Sequence, residues 1–241
     1  MIKSQEAVVD VQADTLAVAQ RVANWLVERL NTTADKFSLC LSGGNTPKLL
    51  YETLAKAEFA SQIMWSKVHL FWGDERFVAK SDSLSNYKMV KTALLDHISI
   101  PQSNIHAVPV ELGNSQLAAA AYEKELQSFY GSKTFTTKQF LFDITLLGIG
   151  TDGHTASLFP GNEVLKEKTA WVKAIHGAKP EDRITLTLPA LESSKAVAFL
   201  VTGADKSAVL KQIFSGKSDL PAAQVRPQGN LFWFLDQAAY L

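Results

Sequence analysis

Asp152 and His154 stand two residues apart in a loop with three glycines, at the end of the run Asp143-Ile144-Thr145-Leu146-Leu147-Gly148-Ile149-Gly150-Thr151-Asp152-Gly153-His154. A short apolar run that passes directly into such a loop reads as the carboxyl end of a strand in an open α/β sheet, where these folds put their ligands. Glycines let backbone N–H groups, that of Gly150 among them, approach an anion or an oxyanion closely. A histidine at that spot suits proton transfer near neutral pH. The plainer alternative is a glycine turn with a solvated Asp and a surface His. The coincidence of strand, glycines and Asp–His pair favours function.

Three further loops carry polar residues just past apolar runs. Ser42-Gly43-Gly44-Asn45-Thr46 follows Phe37–Leu41. Its successive N–H groups and a helix N-terminus would make an anion cradle suited to phosphate, the alternative being a capped turn with no ligand. Gly73-Asp74-Glu75-Arg76 sets three charges directly after a buried run, which is costly unless they pair or meet a ligand. Arg76 is the best candidate, since a guanidinium grips phosphate or carboxylate through two N–H groups. Asp74 is either a substrate contact or half of a structural pair. Thr202-Gly203-Ala204-Asp205-Lys206 puts a cation in the first turn of a helix, against the dipole unless an anion sits between them. Arg183, opening its own strand, faces the same pocket or is simply solvated.

Other chemistries find little support. Gly148, Gly150 and Gly153 spell a dinucleotide fingerprint, but Pro160-Gly161 interrupts the chain before the long helix that motif needs. Asp152 would also aim negative charge at the phosphates. Gly216-Lys217-Ser218 mimics the end of a P-loop, yet Lys211 occupies the place of the required earlier glycine. Ser42 is no nucleophile elbow, because Cys40 stands where that motif needs glycine. Cys40, the single cysteine, lies in an apolar run and reads as a core residue in a reducing compartment. The five histidines are scattered with no His-Glu-x-x-His, so neither a metal nor any other cofactor is expected. Lys+Arg and Asp+Glu both number 24, which gives no electrostatic case for nucleic acid or an anionic membrane. What remains is phosphate capture by local charge, with one histidine acting on water or on a substrate proton.

These loops need a scaffold, and 241 residues suffice for a single α/β domain over 1–241. Apolar residues at Leu16, Ala19, Val22, Ala23, Leu26, Val27 and Leu30 predict a first helix. Phe37–Leu41, Val68–Trp72, Phe142–Leu147, Arg183–Leu188, Ala196–Val201 and Leu231–Leu235 read as strands. Thr46-Pro47 reads as an N-cap and first helical position for a helix to about Ala57. Further helices are expected from Asn86, capped by Ser85, over Ser115–Tyr130, over Ala204–Phe214, and briefly at the end of the chain. Gly131–Gln139 reads as a connecting loop. Strands alternating with helices predict a doubly wound, mainly parallel sheet with helices on both faces. Met1–Glu6 has no apolar signal core and no run reaches membrane-spanning length, so a soluble cytoplasmic protein, a monomer or weak dimer, is expected.

The segments Leu41–Pro47, Trp72–Arg76 with Ser85-Asn86-Tyr87, Leu147–Gly161 and Arg183–Thr187 resemble the 6-phosphogluconolactonase family of the pentose phosphate pathway. The resemblance implies a Rossmann-like fold shared with glucosamine-6-phosphate deaminases and metal-free hydrolysis of a phosphosugar lactone. It implies His154 as the catalytic residue, with Asp152 either orienting the imidazole or only stabilising its loop. It also implies that the glycine loop, Arg76, Arg183 and Lys206 hold the sugar phosphate. The deaminases are similar at Ser42–Pro47 and Asp152-Gly153-His154, but carry Asn-Glu-Pro-Gly where this chain has Leu158-Phe159-Pro160-Gly161. Phe159 cannot transfer the proton that such a glutamate moves. A phosphosugar-sensing or nucleotide-binding module, which would not need the Asp–His pair, is the third reading.

Overall fold

The computed structural model describes residues 7–32 and 35–240; the expectation for Met1–Glu6 lies outside them. Among the described residues the strands are β1 (Val8–Gln12), β2 (Phe37–Leu41), β3 (Val68–Trp72), β4 (Asp74–Arg76), β5 (Ile105–His106), β6 (Phe142–Leu147), β7 (Val172–Ile175), β8 (Arg183–Leu186), β9 (Ser194–Val201) and β10 (Asn230–Asp236). The α-helices are α1 (Thr15–Asn31), α2 (Asn45–Leu54), α3 (Ala57–Ala60), α4 (Asn86–Ala93), α5 (Ser115–Tyr130), α6 (Leu188–Glu192), α7 (Ser207–Phe214), α8 (Pro221–Gln224) and α9 (Gln237–Tyr240). Seven strands form a parallel sheet in the order β1-β10-β9-β6-β2-β3-β5, with helices packed around it. All five positions of β2 are buried, as a central parallel strand requires.

From β2 the chain builds outward through β3 to β5, then returns to lay β6 on the other side of β2. The strand order therefore reverses between β2 and β6, which opens a crevice at their carboxyl ends. The loops Ser42–Asn45 and Gly148–His154 border that crevice. Two buried tyrosines fix the strand ends beneath it. The Tyr51 hydroxyl donates to the Ser42 carbonyl at 2.8 Å and accepts from the Ser42 N–H at 3.0 Å. Tyr122 does the same for Trp72, at 3.0 and 2.8 Å. One side chain thus satisfies both backbone groups at the end of each strand.

A second sheet was not legible as such. β4, β8 and β7 form an antiparallel three-stranded sheet, with Arg76 and Arg183 as direct cross-strand partners. Asp74–Arg76 is accordingly a strand rather than a loop. Gly73 bridges the two sheets: its N–H donates to the Leu41 carbonyl at 2.9 Å, and its carbonyl accepts from Leu186 at 2.8 Å.

Several helix boundaries need correction. Helix α2 starts at Asn45 with Gly44 as N-cap, at φ 101°, so Thr46 is not the cap and Pro47 lies inside the first turn. The Thr46 hydroxyl instead pairs with that of Thr202 at 2.8 Å, joining the loops after β2 and β9. That helix ends at Leu54, before Ala57. The segment expected as one helix over Ala204–Phe214 is a 3-10 turn, Ala204–Lys206, followed by α7. Arg183–Leu188 is strand only to Leu186, because Leu188-Pro189 opens α6. Strands β1, β5 and β7 carry no clear signal in the sequence.

Candidate active site

The crevice holds a cavity of about 340 Å³, lined chiefly by Ser42, Gly43, Gly44, Asp74, Arg76, Asn86, Gly148, Gly150, His154, Ser157, Phe159, Lys179, Arg183 and Lys206. Its volume is that of a small-molecule site. Asn45 and Thr46 border an adjoining recess beside the cavity, which also reaches Thr202, Asp205 and Lys206.

His154 is positioned by a loop that closes on itself. The Gly150 N–H donates to the His154 carbonyl at 2.8 Å, and the Thr155 hydroxyl donates to the Gly148 carbonyl at 2.8 Å. The His154 ring Nδ1 lies 2.5 Å from Asp152 Oδ1, which also accepts the His154 backbone N–H at 3.1 Å. Burial pushes the Asp152 carboxyl up, but the hydrogen bonds from His154 outweigh it and the net direction is down. An ionised Asp152 fixes the proton on Nδ1 and leaves Nε2 as the basic nitrogen. Asp152 itself borders a separate surface recess, with His176 and Lys179, rather than the cavity. Gly150 must be glycine, because a Cβ there would overlap both the imidazole and the Asp152 carboxylate. The ring packs against Phe159, with centroids 4.9 Å apart and the planes tilted by 41°.

Two of the cations, Arg76 and Arg183, stand on the small sheet. Arg76 donates to the Leu84 carbonyl at 3.1 Å and to Asn86 Oδ1. Arg183 donates to Glu181 at 3.3 Å. The buried Nε of each has no hydrogen-bond partner among the described residues. Burial, then the neighbouring Arg76 charge, holds the Arg183 guanidinium below its ordinary pKa. Two in-register guanidiniums with unsatisfied donors are unfavourable by themselves and favourable around an anion. Lys206 pairs with Asp205 at 3.0 Å.

Asp74 and Glu75 divide the roles left open for them. Glu75 is a structural acceptor, 2% exposed, taking the N–H groups of Asn86, Tyr87 and Arg76 at 2.7, 2.7 and 2.8 Å. Burial raises its pKa, opposed by those three hydrogen bonds. Asp74 reaches the cavity wall while accepting from the Ser157 hydroxyl at 2.7 Å. Asn86, missed as a site residue except through the resemblance at Ser85-Asn86-Tyr87, links these parts. It donates to the Asp74 carbonyl at 2.9 Å, accepts from Arg76 and lies against Gly43 so closely that a Cβ at Gly43 would overlap it. Lys179 and Ser157 are the other polar lining residues that sequence reasoning missed, and an isolated Lys or Ser carries no local signal.

The dinucleotide reading loses its geometry. No helix opens at Gly153: the next helical turn is the 3-10 segment Glu163–Lys166, so the glycine fingerprint lacks its helix N-terminus. Among the described residues no group of three or more His, Cys, Asp or Glu could hold a metal ion. Cys40 is fully buried and its thiol is pushed up by that burial, as expected of a core residue.

Residues 13–233 match the family model of glucosamine-6-phosphate isomerases/6-phosphogluconolactonase. The chain is 40% identical over 238 residues to a 6-phosphogluconolactonase of Nostoc sp., covering 96% of each. It superposes with a TM-score of 0.84 on a solved 6-phosphogluconolactonase from Trypanosoma cruzi, at 27% identity over 98% of this chain and 96% of the other. A monomeric glucosamine-6-phosphate deaminase of the NagB superfamily superposes at 0.81 over 96% and 98%, but at 19% identity, a likeness of fold alone.

Proposed function

The chain belongs to the glucosamine-6-phosphate isomerase/6-phosphogluconolactonase family, and from that premise we propose that it hydrolyses 6-phospho-D-glucono-1,5-lactone to 6-phospho-D-gluconate in the pentose phosphate pathway. The observation that carries this reading is that His154, bonded to Asp152 behind it, lines the same cavity as two guanidiniums with unmet donors. We assign the phosphate to Arg76, Arg183, Lys206 and the backbone of Ser42–Thr46, and the reacting carbonyl to the His154 side.

His154 acts as general base. A water bonded to Nε2 gives up a proton as its oxygen adds to C1, forming a tetrahedral oxyanion. Collapse breaks the bond from C1 to the ring oxygen, and the imidazolium returns its proton to that oxygen. The new carboxylic acid then ionises to solvent. Asp152 holds the tautomer and steadies the imidazolium. The deaminase alternative would need an acid where Phe159 stands, and a sensing module would need no Asp–His pair.

We read the chain as one functional domain acting on a small phosphosugar, as a monomer or weak dimer in the cytoplasm and with no nucleic-acid partner; its equal numbers of acidic and basic residues support the last of these. Among the described residues no helix is long and apolar enough to cross a membrane.

The test is lactone hydrolysis against a protein-free blank, since this lactone also opens uncatalysed. Wild type should exceed the blank, prefer the phosphorylated lactone and release no ammonia from glucosamine 6-phosphate. His154→Asn should lower turnover by roughly 10²–10⁴-fold with the fold intact. Near-normal turnover in that variant removes His154 from the mechanism, and ammonia release moves the function to the deaminase branch.

A further inference from the structure

The cavity's four cations fall into two groups. Arg76 and Arg183 are cross-strand partners, and Asn86 ties Arg76 to Gly43. Lys206 faces Gly44 and Thr202 in the adjoining recess and is paired with Asp205. Lys179 alone lies on the histidine side. Its Nζ rests 5.5 Å from the centroid of the Phe159 ring, and that ring packs against His154. It forms no ion pair among the described residues, whereas its neighbour Glu181 is turned to Arg183.

The arm that carries Lys179 is held at its base. His176 Nδ1 lies 2.9 Å from Asp182, and the His176 ring contacts the Gln116 amide at 2.6 Å. Asp182 accepts from the Ser115 hydroxyl at 2.7 Å, and its carbonyl accepts the Phe77 N–H at 2.8 Å. The arm is thereby fixed both to the start of α5 and to the residue that follows Arg76.

Lactone hydrolysis creates negative charge at one new position, C1, first as the oxyanion and then as the product carboxylate. The substrate carbonyl is neutral, so a cation at C1 favours the transition state over the ground state and acts on kcat rather than on KM. Resting on an aromatic face is a weak hold for an ammonium group, which an oxyanion within reach would displace. We propose that Lys179 is a further catalytic residue: it meets the oxyanion at C1, and afterwards the C1 carboxylate, while the arginines keep the phosphate. This rests on the lactonase reading above.

The experiment compares wild type, Lys179→Met and Lys179→Arg for turnover and for inhibition by two ligands. One is 6-phosphogluconate, with phosphate and C1 carboxylate; the other is glucitol 6-phosphate, with the phosphate alone. Lys179→Met should lower kcat by about 10²-fold with KM within threefold. It should weaken inhibition by 6-phosphogluconate at least tenfold and leave glucitol 6-phosphate unchanged, which also reports an intact site. Lys179→Arg should recover much of the loss. Unchanged kcat and inhibition in the Met variant overturn the assignment, as does equal weakening of both inhibitors, which would make Lys179 a phosphate contact. A wild type no faster than the blank overturns the lactonase reading itself and this assignment with it; an active wild type with an indifferent Met variant overturns this one alone.

Discussion

Replacing Arg183 by methionine should separate function from stability in opposite directions. Arg183 is 12% exposed at its side chain, pairs with Glu181 at 3.3 Å and faces Arg76 across the strands with its Nε unsatisfied. If it holds the phosphate through two charge-assisted hydrogen bonds, at about 1.5–3 kcal/mol each, their loss lowers kcat/KM by roughly 10²–10⁴-fold. On the folding side the variant loses one ion pair, about 0–1 kcal/mol. It regains the roughly 1–3 kcal/mol cost of an unmet buried donor and relieves the repulsion from Arg76. Methionine keeps most of the packing volume, so the net change is about 1 kcal/mol of stabilisation. For a domain of this size that is a Tm higher by roughly 2–4 °C. The assay is kcat/KM on the phosphorylated lactone together with thermal melts with and without inorganic phosphate. Phosphate should raise the wild-type Tm by mass action and barely move that of the variant. A kcat/KM within threefold of wild type, or a Tm lowered by several degrees, would refute the idea that this guanidinium pair is held for an anion.

Gly150→Ala should lower kcat about 10²-fold at nearly unchanged KM, because the added methyl must push His154 and Asp152 off line; unaffected turnover would mean that the ring position is not critical. Glu75 provides a pH test. Its folded pKa is raised above the ordinary 4.5, so the native state holds the proton more tightly and stability falls as pH rises from about 4.5 through the folded value. Urea midpoints taken across that window should decline in wild type relative to Glu75→Gln, and a relative rise would contradict the buried-carboxylate reading. Activity should survive exhaustive chelation, and calorimetry should detect no NAD or NADP binding, since the Gly148–Gly153 loop opens no helix; activity lost on chelation and restored by metal would reverse that.

Much of this molecule was legible from local pattern. Helix α5 runs over Ser115–Tyr130 as expected, ending on Gly131 in the left-handed conformation, and β2, β3 and β6 coincide with their apolar runs. The glycine loops at the ends of β2 and β6 were recognisable because strand and glycines are contiguous in the chain, with a helix start as well after β2. The start of α2 was misplaced by the strength of the Thr-Pro signal, which Gly44 overrides by adopting a backbone angle that Thr would not. Strand β7 escaped notice because its four residues, Val172–Ile175, are too few to establish a period. Strand β4 was hidden by its charges: Asp-Glu-Arg is no strand sequence, and it becomes one only because β8 supplies hydrogen bonds while Asn86 and Tyr87 satisfy Glu75.

By itself the sequence determined the parallel α/β framework, and it placed the glycine loop after β2 and His154 at the carboxyl ends of neighbouring strands. Those features depend on residues adjacent in the chain. Tertiary structure alone decided that Arg76 and Arg183 lie side by side with unmet donors, that Asn86 wedges between Gly43 and Asp74, that Asp152 stands behind the imidazole rather than in the cavity, and that Lys179 reaches the histidine side. Apart from the Asp152–His154 pair, each of these joins residues that are not neighbours in the sequence. The Arg76–Arg183 pairing is fixed by the register of the small antiparallel sheet, and the meeting of the two glycine loops by the reversal of strand order between β2 and β6, neither of which leaves a periodic trace in the residues involved.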